Sequence, residues 1–187
     1  ASLADLEAAA SATAQHGFAF AGQSCISIQR VYVQRDVYDR YVELLVPKVE
    51  QLVVGDPADD ETDVGPVIDE DARERIVEWI DEARRAGADV LTGGELEGEL
   101  IQPTVIANAG LDLKVSCEEV FGPVVTLTPY DTIDEALELA NGTRYGLQAG
   151  IFTSNVRTAF RAAQELEFGG VTVNEAPTFR ADQMPYG

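Results

Sequence analysis

Apolar residues along this chain recur at two spacings, every three to four residues and every second residue, and the switches between them delimit its elements. Ser2 to Phe18 is alanine-rich, and Ser2-Leu3-Ala4-Asp5 has the spacing of a capping box, which predicts a helix. Phe18-Ala19-Phe20-Ala21-Gly22 ends it, with the glycine supplying a turn ahead of Gln23-Ser24-Cys25. Gln29 to Gln34 alternates and is rich in β-branched and aromatic residues, so it reads as a strand. Val37, Tyr41, Leu44, Leu45, Val49 and Leu52 return to helical spacing, but Pro47 lies inside the pattern and should bend or break the helix there. Gly55-Asp56-Pro57 reads as a turn.

Ala72 to Ala86 forms a second amphipathic pattern, with Ile76, Trp79, Ile80 and Ala83 on one face and Gly87 as its stop. Short strands are predicted at 88–92, 101–106 and 124–129. Thr132 to Ala140 should be a helix, with Asp134 and Glu135 in its first turn. Gly150 to Thr153 reads as a buried strand, Asn155 opens a helix to about Leu166, and Gly170 to Asn174 is the last strand. Strands alternating with helices define an α/β fold, a three-layer sandwich with a largely parallel sheet covered on both faces. No repeat, low-complexity tract or linker divides the chain, and 187 residues suit a single core.

Composition adds one strong constraint. Thirteen Lys and Arg against thirty-three Asp and Glu leave a net charge of −20, which argues against nucleic-acid and anionic membrane partners. The acids are spread through the chain, as at 56–63, 69–74 and 95–99, and only Lys48 and Lys114 are lysines. A solvated acidic shell poor in lysine is what adaptation to high salt would produce. No apolar run approaches the roughly 20 residues of a membrane span. The acidic N-terminal residues do not read as a leader, and the missing initiator Met reads as the interior of a longer polypeptide. Two cysteines are too few for a disulfide framework, which favours a reducing cytoplasm, and a single histidine, His16, excludes a zinc site of common type.

Two segments then stand out chemically. Cys25 follows a glycine turn between a helix and a strand, where a thiol can be held open to a pocket as a nucleophile; alone, such a cysteine is far more often a small buried hydrophobe. His16 is no obvious activating base, so a Cys25 thiolate would depend on the local field and backbone amides. Cys117-Glu118-Glu119-Val120-Phe121-Gly122-Pro123 places two acids beside an aromatic residue and a Gly-Pro turn. That arrangement can bind sugar hydroxyls, although in so acidic a chain it is, taken alone, more often a solvated acidic patch beside a core phenylalanine.

Taken together, Phe20 to Cys25, Glu118 to Pro123, Ala140-Asn141-Gly142-Thr143-Arg144-Tyr145-Gly146-Leu147 and Gly170 to Asn174 resemble the aldehyde dehydrogenase superfamily, in its order and spacing, along the whole of residues 1–187. The resemblance implies the nucleophile-bearing catalytic domain, with most of the nucleotide-binding domain and the C-terminal end outside this sequence. It implies that Cys25 attacks a small aldehyde to give a thiohemiacetal and then a thioester, hydrolysed to the acid. It further implies NAD or NADP as cofactor, with Glu119 on the nicotinamide ribose and Phe121 beside the nicotinamide. Metal ligands are not implied, and the full-length protein should be a homo-oligomer. Gln23 reads as loop-shaping, and Cys117, His16 and Trp79 as structural. Tyr145 with Gly146 should shape a turn, and Asn174 should satisfy nearby backbone groups.

Phe179, Arg180 and Tyr186 fall where the family builds its aldehyde pocket. With Gly146 to Gly150 they resemble the branch of lactaldehyde and non-phosphorylating glyceraldehyde-3-phosphate dehydrogenases. There Arg180 would pair with an anionic substrate group, or, as the plainer alternative, with a neighbouring surface acid. The family's general-base Glu and oxyanion Asn lie upstream of Ala1, so residues 1–187 alone should be alkylated at Cys25 without turning over. Two rival readings remain: a non-catalytic member of the family, and a coenzyme-A-acylating aldehyde dehydrogenase.

Overall fold

A computed structural model describes residues 3–184; Tyr186 and the Ser2 end of the predicted capping box lie outside them. The elements, in order, begin with α1 (Leu3–Phe18), a short 3-10 turn (Ala19–Gly22), β1 (Arg30–Gln34), α2 (Arg35–Glu50) and α3 (Glu70–Arg85). Next come β2 (Asp89–Thr92), β3 (Leu96–Glu97), β4 (Leu100–Ile101), β5 (Thr104–Ala107) and α4 (Lys114–Cys117). The chain finishes with β6 (Val124–Tyr130), α5 (Ile133–Asn141), β7 (Gln148–Ile151), α6 (Val156–Glu165) and β8 (Gly170–Val173).

The main sheet has the order β1-β6-β5-β2, with β1, β6 and β5 parallel and β2 antiparallel at the edge. Its central strands are buried on both faces, so their alternation sorts residues between two cores rather than between core and water. Val105, Val125 and Leu127 pack with Leu6, Ala10, Ala14 and Phe18 of α1 and with Tyr41, Leu45 and Val49 of α2. Ile106 and Val124 point the other way, onto Ile76, Ile80 and Ala83 of α3 and Val115 of α4. These two cores make the expected three-layer α/β sandwich. β7 and β8 pair in parallel as a separate small sheet, and α6 packs beside β8.

Several boundaries differ from the sequence expectation. Pro47 does not break its helix: α2 runs through it to Glu50. A proline in a helix costs about 3 kcal/mol, whereas burying Tyr41, Leu45 and Val49 against α1 yields roughly 1.5–3 kcal/mol for each side chain, so packing wins. The strand predicted at 101–106 is split by Gln102-Pro103, and its first part closes a two-stranded hairpin with β3. The buried strand predicted at 150–153 is instead β7, two residues earlier and only half-buried, because it pairs with β8 alone. α3 starts at Glu70, where the Asp69 carboxylate accepts from the Ala72 N–H at 2.8 Å. Among the described residues, no helix is long and apolar enough to cross a membrane.

Candidate functional site

The turn carrying Cys25 runs into β1, and the loop 118–123 runs into β6. Because β1 and β6 are adjacent and parallel, both segments arrive at the same end of the sheet. Gly22 lets them touch. It sits at φ +70°, and a Cβ there would land on the carbonyl oxygen of Gly122. Phe20 and Ala21 are also left-handed, both at φ 54°, as is Phe121 across the contact, also at 54°. A non-glycine residue pays roughly 1–2 kcal/mol for that conformation, so packing must hold the two loops in place.

Cys25 is exposed on its turn, and Cys117 is half-buried at the end of α4, its Sγ donating to the Asp112 carbonyl at 3.4 Å. Gln23 shapes the turn: its Nε2 donates to the Phe20 and Pro66 carbonyls, and its Oε1 accepts from the Ile68 N–H at 2.8 Å. Ser27 donates to the carbonyls of His16 and Gly17, which ties the far side of the turn to the end of α1.

Cys25, Glu119 and Phe121 line one cleft of about 830 Å³ that also reaches Gly22, Tyr145 and β7. The two acids of the loop are in different states. Glu118 is taken up by an ion pair with Arg144 and by the Tyr145 hydroxyl at 3.2 Å, whereas the Glu119 side chain is exposed at the cleft. The carboxylate available to a cleft ligand is therefore that of Glu119. Phe179 and Arg180 are exposed on the segment after β8 and do not line this cleft; the Arg180 guanidinium donates to the Met184 carbonyl at 3.2 Å. Asn174, at φ 56°, accepts from the Thr153 N–H at 2.8 Å, a backbone-satisfying role as expected.

The sequence reading missed the residues that hold the loop 118–120. Gln29 donates to the Val115 and Glu118 carbonyls at 3.1 and 2.7 Å and accepts from the Val120 N–H at 2.9 Å. Tyr145 accepts from the Glu119 N–H at 3.3 Å, which is more than shaping a turn. Arg75, stacked 4.7 Å from the Trp79 ring centroid, donates to the Val120 carbonyl at 2.9 Å. Gln29 gave no signal because the sequence places it as the first residue of a strand, where a polar residue is unremarkable.

The chain matches the aldehyde dehydrogenase family over residues 1–187 and belongs to that family. It is 48% identical over 184 residues to the 3-sulfolactaldehyde dehydrogenase of Priestia aryabhattai, covering 98% of this chain and 39% of that protein. It is 39% identical over 183 residues to a lactaldehyde dehydrogenase of Methanococcus maripaludis, again covering 98% of this chain and 39% of the relative. Among solved structures it superposes, with a TM-score of 0.93 and 34% identity, on a betaine aldehyde dehydrogenase of Staphylococcus aureus in complex with NAD+, covering 98% of this chain and 38% of that one. The chain thus spans about two-fifths of the length of its curated relatives.

Proposed function

We propose that these residues form the nucleophile-bearing part of an NAD(P)-dependent aldehyde dehydrogenase that converts a small aldehyde to its carboxylic acid. The observation carrying this reading is the shared cleft: an exposed Cys25 faces the same space as the open Glu119 carboxylate and Phe121. Cys25 Sγ adds to the aldehyde carbon, forming a C–S bond and an oxyanion. The Cys25 backbone N–H would be a donor to that oxygen. A nicotinamide, when bound, would supply the acceptor for the hydride that leaves the adduct carbon, and water would then release the acid from the Cys25 thioester. Glu119 would accept hydrogen bonds from the ribose hydroxyls, and Phe121 would wall the nicotinamide, so both would position rather than react.

The fit of this cofactor to the chain rests on Glu119. An exposed carboxylate beside an aromatic residue and a glycine turn matches a diol-bearing ring, and its neighbour Glu118 is already neutralised by Arg144. For substrate, the names of the relatives favour a short hydroxy- or sulfo-substituted aldehyde. Arg180 is proposed as the cation that meets its anionic group, and Phe179 and Tyr186 as pocket residues of the full-length enzyme, although Phe179 and Arg180 do not line the Cys25 cleft itself.

The test is turnover by the full-length enzyme with lactaldehyde, 3-sulfolactaldehyde and propanal, following NAD(P)H and product. The carboxylic acid should accumulate, Cys25→Ala should abolish it, and Arg180→Ala should raise KM about tenfold for the sulfonated aldehyde alone. No thiol-dependent turnover would favour a non-catalytic protein, and an acyl thioester formed only with added coenzyme A would favour an acylating enzyme. An equal effect of Arg180→Ala on propanal would remove the Arg180 assignment.

A further inference from the structure

From these contacts we infer that Gln29 is a positioning residue for cofactor binding, fixing the backbone on both sides of Glu119 relative to the Cys25 turn. The inference rests on Glu119 being the cofactor's carboxylate. Gln29 lies on the stretch between Cys25 and β1, and its own carbonyl accepts from the Thr126 N–H of β6 at 2.8 Å. Its side chain then crosses to the neighbouring loop. The amide nitrogen donates to the carbonyl just before Glu119, and the amide oxygen accepts from the N–H just after it. One planar amide therefore fixes the peptide units flanking Glu119, and with them the direction of its side chain.

The remaining contacts complete the cradle without duplicating it. The Glu119 N–H is held by Tyr145, the Val120 carbonyl by Arg75, and the Glu118 N–H by the Lys114 carbonyl of α4. Tyr145 and Arg75 reach the loop from β7's approach and from α3, so they tie it to the outer layers. Gln29 alone among these side chains comes from the segment that carries Cys25. Together with the Gly22–Gly122 contact it thus helps to set the spacing between the thiol and the carboxylate, the distance that a ligand bound to one and reacting at the other must match. A cleft carboxylate on a loop otherwise left-handed at Phe121 needs such a brace, since local strain favours its release.

The experiment uses the full-length enzyme and three substitutions, Gln29→Met, Gln29→Glu and Glu119→Gln. NADH and NADPH binding is followed by fluorescence, and backbone hydrogen exchange across 115–121 by mass spectrometry. Gln29→Met keeps the side chain's length and removes all three hydrogen bonds. It should weaken binding about tenfold and speed exchange at Val120, with exchange across α2 unchanged. Gln29→Glu keeps the acceptor for Val120 but sets a carboxylate oxygen against the Val115 and Glu118 carbonyls, so it should weaken binding at least as much as Gln29→Met. If Glu119→Gln weakens binding while both Gln29 variants bind as the unsubstituted enzyme does, the Gln29 inference is overturned and the cofactor reading stands. If Glu119→Gln leaves binding unchanged, both are overturned. Uniformly faster exchange throughout the Gln29 variants would mark a purely structural residue and also overturn the inference.

Discussion

Gly22 is the residue on which the meeting of the two site loops depends most directly, and a matched glycine elsewhere shows how much of its effect is local. Gly22 at φ +70° faces the Gly122 backbone, whereas Gly87 at φ +93°, after α3, has open space where a Cβ would stand. Alanine at Gly87 adds only a left-handed conformational cost of about 1 kcal/mol. Alanine at Gly22 adds a clash with main chain, which cannot rotate away as a side chain can. We expect Gly22→Ala to lose roughly 2–4 kcal/mol in urea unfolding, and Gly87→Ala about 1 kcal/mol. Iodoacetamide labelling of Cys25 should change in rate for the first variant alone. Equal losses for the two would show that the contact between Gly22 and Gly122 holds nothing. The same scale separates Glu118 from Glu119: adjacent in sequence and identical in type, one is consumed by Arg144 and Tyr145 and the other faces the cleft.

Between elements, the contact of α1 with α2 buries a tyrosine whose hydroxyl has one route to satisfaction. Tyr41 is 3% exposed, and its hydroxyl pairs with Thr13 at 2.7 Å. Burial pushes its pKa up to about 12, with the Thr13 hydrogen bond partly opposing. A group raised in the folded state contributes stability that is complete below its unfolded pKa of 10.0 and is lost as pH climbs to about 12. Burial also raises Tyr32 and Tyr130, so Tyr41 is one contributor to the alkaline loss. Tyr41→Phe should flatten the fall in urea midpoint between those pH values, removing on the order of 3 kcal/mol of pH dependence at most. An unchanged slope would contradict this. Elements of this kind were legible in the sequence wherever one face was apolar and a cap was local. Thr132 and Asn155 cap α5 and α6 with their own side chains, and those helix starts follow from them, whereas the Asp69 cap starts α3 two residues ahead of the expected Ala72. The misses had non-local causes. Pro47 is overruled by the partner helix, and β7 shifts because its pairing partner is β8, about twenty residues on. At the site, the residues named from the family pattern, Cys25, Glu119 and Phe121, do share a cleft. The roles of Gln29 and Arg75, and the hold of Tyr145 on Glu119, were invisible because these hydrogen bonds join segments far apart along the chain.

For the molecule as a whole, charge is the term that a change of solvent reaches first. The acids behind the net charge of −20 are spread through the chain but include exposed runs: Asp56, Asp59, Asp60, Glu61 and Asp63, then Asp69, Glu70, Asp71 and Glu74, then Glu95, Glu97 and Glu99. Salt acts on this surface in two opposing ways. It weakens the favourable pairs, among them Arg35 with Asp131, Lys48 with Glu7, and Arg161 with Asp134 and Glu165. These are solvent-facing, worth about 0–1 kcal/mol each, so their combined loss is small. It also screens the repulsion among the unpaired acids, which far outnumber the available cations. The Debye length shortens from about 10 Å at 0.1 M to about 3 Å at 1 M, below the spacing of charges along each run. The second effect therefore exceeds the first, and stability should rise with salt, as an adaptation to saline surroundings requires. We predict a higher urea midpoint in roughly 2 M KCl than in 0.1 M KCl. Neutralising one run should mimic the salt: the double variant Asp60→Asn, Glu61→Gln should gain stability in dilute buffer and respond less to KCl. These two residues sit in an exposed loop away from the cleft, so packing does not confuse the comparison. A midpoint indifferent to KCl, or a double variant weaker than its parent at low salt, would show that the acidic surface carries no repulsive penalty and that salt adaptation is not what it serves.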